Sequence, residues 1–170
     1  MMAGTSDDRE HSTLASAVAL IALVLVLLGA VWYGVSSEVL QRQWQDLTGR
    51  PGGPMTFRFF LQPAMAAIAA THDGIRDAQL GRSPYFWTVV NDPAKRAGRL
   101  REGWVSTARI MLLGIGMDAI YQLVVLKAFY PAEAILVAIA LAFIPYVLLR
   151  GPIARIARWW LSAKSGGAAQ

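Results

Sequence analysis

The sequence predicts an all-α fold, a small polytopic transmembrane bundle of three or four membrane segments with interfacial amphipathic helices. Three observations predict it. Uncharged apolar runs are too long for one small core, polar joins rich in Gly and Pro separate them, and Lys and Arg cluster at their ends. Of the 170 residues 55% are apolar and 16% charged, where a soluble domain carries about a quarter charged. Mean hydropathy is +0.42.

Residues 1–12 carry Asp7, Asp8 and Glu10 against Arg9 and read as a disordered polar tail. Residues 13–35 form an anchor: the run Leu14–Val35 has no charge, and Trp32-Tyr33 at its end suit the aromatic belt of an interface. A cleaved signal peptide is the competing reading. It is disfavoured by an n-region more acidic than basic and by the lack of a small-x-small site.

Residues 36–55 are a polar loop in which Glu38–Leu47 suits a short helix, and Gly49-Arg50-Pro51-Gly52-Gly53-Pro54 a turn. Residues 56–103 open on Thr56–Thr71, apolar at Phe57, Phe59-Phe60-Leu61 and Ala64–Ala70 yet carrying Arg58, Gln62 and Pro63. Arg58, Gln62, Asp73, Arg76 and Asp77 fall on one narrow helical stripe. This stretch is near the lower length limit for a span, so it crosses, re-enters or lies along the interface. Ala66, Ala67 and Ala70 allow another helix to approach closely. The basic interfacial region follows, with Ser83-Pro84-Tyr85-Phe86-Trp87 as an aromatic anchor and Asn91-Asp92-Pro93 as a turn starting a short basic helix into Trp104.

Residues 104–150 read as a transmembrane hairpin. At ~1.5 Å per residue, Val105–Leu126 and Ala132–Leu149 each cross a hydrocarbon core of about 30 Å. Pro131 suits the first helical position, where its missing N–H costs nothing, with Glu133 near the positive end of the dipole. Residues 151–170, after the break Arg150-Gly151-Pro152, read as a basic amphipathic helix on the surface and a frayed tail.

Orientation follows from the basic residues. His72–Gly103 has six Lys or Arg, the chain after Leu149 has four, and the link at Lys127 has one, which puts both basic segments and the C-terminus in the cytoplasm. The N-terminus is inside with four crossings and outside with three.

Asp118 is the sharpest functional hint: an acid set about mid-membrane, costly unless it faces protein or water. Spacings of three and four put Gly114, Tyr121 and Gln122 on its face, a polar patch beside a small residue that suits helix association. Arg109 lies on the opposite side of that helix and snorkels to headgroups, whereas Arg58 is a candidate partner for Asp118 if its segment crosses.

Lys95, Arg96, Arg99, Arg101, Arg109, Arg150, Arg155 and Arg158, with Trp159 and Trp160, read as interface anchors facing anionic headgroups. The charge of +5 flanks apolar runs and forms no continuous polar face, which argues against nucleic acid. With no cysteine, and with His11 and His72 the two histidines, no disulfide, thiolate or metal centre is expected. No cofactor or catalytic motif is read: there is no Walker loop, His-Glu-x-x-His, Gly-x-Ser-x-Gly or dinucleotide fingerprint. Asp73-Gly74 starts like the acidic motif of CDP-alcohol phosphotransferases, but the Ala-Arg and spaced acids that should follow are absent.

The run from Arg58 through Gly81-Arg82, Pro84-Tyr85-Phe86-Trp87, Asp118 with Tyr121-Gln122, and Pro145-Tyr146 with Arg150-Gly151-Pro152 resembles a group of small bacterial inner-membrane proteins with no assigned activity. The resemblance covers about the C-terminal two-thirds and implies the inner membrane as the setting. The expectation for function is a non-enzymatic scaffold or accessory subunit, associating with itself or another membrane protein through the Asp118 face. The alternative is a homo-oligomeric channel or proton-coupled carrier in which Asp118 titrates.

Overall fold

The computed structural model describes residues 4–34, 36–49 and 56–167, and every regular element among them is helical. Three helices are long and apolar enough to cross a membrane: Glu10–Tyr33, Pro93–Leu126 and Pro131–Ala163. The proposed turn at 50–55 lies outside the described residues.

Helix α1 (Gly4–Tyr33) begins well before the apolar run, so from Gly4 onward the stretch expected to be a disordered tail is helical. Once a long helix is nucleated, each added residue gains a hydrogen bond at little further cost. Helix α2 (Ser37–Gly49) matches the short helix expected there. The Ser36 hydroxyl accepts from Val39 N at 3.2 Å and caps it.

Helix α3 (Arg58–Gln79) is unbroken by Pro63. Its buried positions, Arg58, Gln62, Ala66, Ala70, Gly74, Asp77 and Ala78, repeat every three or four residues as one stripe. Ala66 and Ala70 point inward as expected; Arg76 does not share the stripe and is exposed. The side chains at the centre of the stripe are small, so the neighbouring backbone comes close. A Cβ on Gly74 would sit 3.0 Å from the Arg150 carbonyl oxygen and 2.9 Å from Ile153 Cγ2.

The aromatic anchor divides. In helix α4 (Tyr85–Asn91) Tyr85 is fully buried, whereas Phe86 and Trp87 face outward. Helix α5 (Pro93–Tyr121) starts with Pro93 in its first turn and the Asp92 side chain accepting from Lys95 N. The basic helix and the span are therefore one rod, not two. It ends in a π turn, Gln122–Leu126, and Lys127 closes it in the left-handed region at φ 53°.

The return rod starts at helix α6 (Pro131–Ala138), passes a π turn at Ile139–Phe143, and continues as helix α7 (Ile144–Gly167). The break expected at Arg150-Gly151-Pro152 does not occur, so residues 151–167 continue the hairpin. Pro152 removes one backbone bond, a loss the long packed helix carries because Ala154 is buried and Ile153 lies on Gly74 of α3.

Contacts at the two ends fix the directions. At one end, Tyr33 Oη donates to the Phe129 carbonyl, its ring lies tilted against Tyr130, and Arg58 meets Asp118. At the other, Trp104 Nε1 donates to the Ala15 carbonyl, and Asp77 meets Arg99 and Arg150. Helices α1 and α5 run one way and α3 and α6–α7 the other. The α5–α7 hairpin forms the centre, with α1 packed on α5 and α6 and α3 on α5 and α7.

Candidate functional site: two buried charge layers

The same interval separates the charges on two antiparallel rods. Arg58 to Asp77 on α3 and Arg99 to Asp118 on α5 are each nineteen residues apart, about 29 Å at ~1.5 Å per residue. Antiparallel packing brings Arg58 to Asp118 at one level and Asp77 to Arg99 at the other, so each charge finds its opposite.

At the first level Arg58 Nη1 donates to Asp118 Oδ1 at 2.7 Å, with side chains 1% and 0% exposed. Gln122, one turn on, donates to Asp118 Oδ2 at 2.6 Å. The same amide holds the link: Gln122 Nε2 donates to the Tyr130 carbonyl at 3.2 Å, and Tyr130 N donates to Gln122 Oε1 at 2.6 Å. The Arg58 guanidinium lies 4.8 Å from the Tyr121 ring centroid, a favourable position over an aromatic face. The four residues read from spacing, Arg58, Asp118, Tyr121 and Gln122, therefore form one cluster.

Two details differ from the expectation. Asp118 is not midway along its rod but level with the first residue of α3, about two turns before the rod ends at Leu126. And the Gly114–Asp118–Gln122 face is occupied within the chain: Gln62 of α3 lies so near Gly114 that a Cβ there would sit 3.0 Å from Gln62 Nε2. No second protein can associate through that face while α3 covers it. Arg58 Nε and Nη2 and both amide atoms of Gln62 are buried without a hydrogen-bond partner, each a cost of about 1–3 kcal/mol in a dry interior. Beside this cluster Arg42, at 3.8 Å from the Tyr130 ring centroid and 3.5 Å from Glu133, ties α2 to the start of α6.

The second level is larger. Asp77, 1% exposed, takes two arginines, each through both carboxylate oxygens: Arg99 at 3.1 and 3.2 Å, and Arg150 at 2.8 and 3.0 Å. Such paired N–H···O contacts are the strongest geometry available to this couple. Glu102 accepts from Arg99 at 2.9 Å and from Arg150 at 3.2 Å, and Arg82 reaches Glu102 at 3.4 Å. Asp73 accepts from Ser106 and Tyr146, both at 2.7 Å. Tyr85 donates to the Arg99 carbonyl at 2.6 Å. Burial pushes its phenol up to about 12 against the pull of Arg150 and Arg99, so it remains a donor.

Arg99 and Arg150 are therefore not headgroup anchors: both are buried and paired with Asp77. Charge counting in loops sees the cations but not the α3 acid that antiparallel packing carries to them. The other basic residues stay outside. Lys95 pairs with Asp92 at 3.1 Å, and the Lys95 ammonium holds that carboxyl below its ordinary range. Arg96 donates to the Val89 and Val90 carbonyls at the end of α4. Arg109 reaches Glu10 at 3.6 Å, and Arg158 Nε donates to the Ala154 carbonyl. Arg101, Arg155, Trp159 and Trp160 are exposed.

Sequence reasoning placed Asp73 and Asp77 on a stripe with Arg58 and Gln62 without naming their partners. It missed Tyr85, Glu102 and Tyr146 as members of the layer. The stripe itself was the signal, because acids one turn apart on an otherwise apolar helix need company. No protein-family model, curated protein or solved structure matches the chain, so these two layers rest on their own geometry.

Proposed function

We propose that this chain is a non-enzymatic integral protein of a bacterial inner membrane, with four crossing segments and both termini cytoplasmic, acting as a scaffold or accessory subunit of a membrane assembly. One observation carries the reading: the polarity of α3 is inverted. Arg58, Gln62 and Asp77 are 0–1% exposed, while Phe60 and Ile68 on its outer face are 73% and 71% exposed. In water that distribution would be costly in both directions; in lipid it is the favourable one. The charges of both layers are committed to internal pairs, and among the described residues no nucleophile–base pair stands apart from them. Association with a partner then falls to the outward apolar surface. Anionic lipid is the counter-charge for the exposed arginines.

A second reading, a homo-oligomeric channel or proton-coupled carrier with Asp118 as the titrating group, is favoured by the partnerless Arg58 and Gln62 atoms beside that acid. Gln62→Met separates the two. The side chain keeps its length and loses an amide that bonds to nothing in the fold, so the scaffold reading expects unchanged or slightly raised thermal stability in detergent and unchanged assembly size. Proton flux into proteoliposomes should be absent for the wild-type chain, Gln62→Met and Asp118→Asn alike. A wild-type flux that Asp118→Asn abolishes would replace the scaffold reading with the carrier.

A further inference from the structure

Beside the second charge layer a cavity of about 500 Å³ opens between α1, α3 and α5. Its inner wall belongs to the layer already described: Asp73, Asp77, Glu102, Arg82 and Arg150 line it, and Arg99 stands behind the lining, paired with Asp77 and Glu102. With Arg99 counted behind the lining, three negative charges meet three positive ones, and the layer is neutral. The mouth is not. Arg76 of α3 and Arg101 of α5 both line the cavity and are exposed, and neither has an ion-pair partner among the described residues. Ser12 of α1 adds a hydroxyl, while the Ser106 hydroxyl on the same lining already donates to Asp73. Two guanidinium groups with no ion-pair partner among the described residues, over a neutral polar layer, suit an anion, and their forked donors match the oxygens of a phosphate.

We propose that this cavity binds a phosphate group, with Arg76 and Arg101 as the residues that clamp it. Two sources present the same chemistry: the headgroup of an anionic phospholipid from the adjoining leaflet, and a free phosphorylated solute. The position favours lipid, because outward-facing Phe86 and Trp87 of α4 mark the same end of the bundle as an aromatic interface. The lipid source rests on the membrane reading above; the clamp itself does not.

The test is lipid retention by the purified full chain in detergent, followed by native mass spectrometry with phosphatidylglycerol and phosphatidylcholine added in equal amounts. The wild-type chain should retain phosphatidylglycerol preferentially. In Arg76→Gln/Arg101→Gln that retention should fall roughly thirtyfold, the effect of removing two basic contacts to an anionic headgroup. Arg155→Gln/Arg158→Gln removes the same net charge outside the cavity and should lower retention far less. Inorganic phosphate added at millimolar concentration identifies the source: no displacement assigns the site to lipid, and displacement from the wild-type chain assigns it to a soluble phosphate. The proposal is overturned if phosphatidylglycerol is not preferred and phosphate does not bind, or if both double variants lose retention equally. Since Arg76 and Arg101 are outside the buried pairs, the variant should keep the wild-type melting temperature and assembly size, so failure here leaves the scaffold reading standing.

Discussion

Asp77→Leu is expected to be the most damaging single substitution in the chain. It strands Arg99 and Arg150, 7% and 3% exposed, whose four donor contacts converge on that one carboxylate. Breaking a buried pair from one side costs about 3–5 kcal/mol because the remaining charge is left uncompensated, and here two are left. Glu102 is a poor substitute, since it already accepts from both arginines and is 41% exposed. Thermal unfolding in detergent should drop far below the wild-type midpoint, or the variant should fail to purify monodisperse. Asp77→Asn keeps the shape but turns an NH2 toward guanidinium donors, and should fall nearly as far. Asp73→Asn should cost much less, because its closest partners are the neutral hydroxyls of Ser106 and Tyr146, with the exposed His72 ring at 3.3 Å.

Arg58→Met and Asp118→Leu should each destabilise by a similar few kcal/mol, about 3–5 for a pair buried this completely. The two together should not add. Replacing a buried ion pair by apolar residues of similar size is often neutral, so Arg58→Met/Asp118→Leu should recover most of the loss of either single variant. The recovery will be incomplete because Gln122 also loses its acceptor. A double-mutant cycle measured by thermal unfolding gives the coupling directly; additive losses would mean that the two side chains do not depend on each other.

Much of this was legible in the sequence, and the limits have physical causes. The spans follow from length and hydropathy. The Asp118 neighbourhood follows from helical spacing, and Arg58 as its partner from the need of a buried acid for a cation. The extent of the rod was not legible: the apolar run was measured from Val105, whereas the rod starts at Pro93, and the level at which Asp118 meets Arg58 is set by α3. Nor were the fates of Arg99 and Arg150, since a cation near a span end is the same in sequence whether it snorkels outward or turns in toward an acid on another helix. The break read at Gly151-Pro152 shows the remaining weakness: a proline marks a helix end in water more dependably than within a packed bundle.

The central claim is that α3 crosses, and the cysteine-free chain allows a clean test with single-cysteine variants flanking it. Thr48→Cys on α2 and Ala97→Cys at the start of α5 are both exposed positions. In intact bacterial cells a membrane-impermeant maleimide should label Thr48→Cys at once and Ala97→Cys only after permeabilisation. Labelling of both from the same side would mean that α3 does not cross, and would contradict the four-segment account.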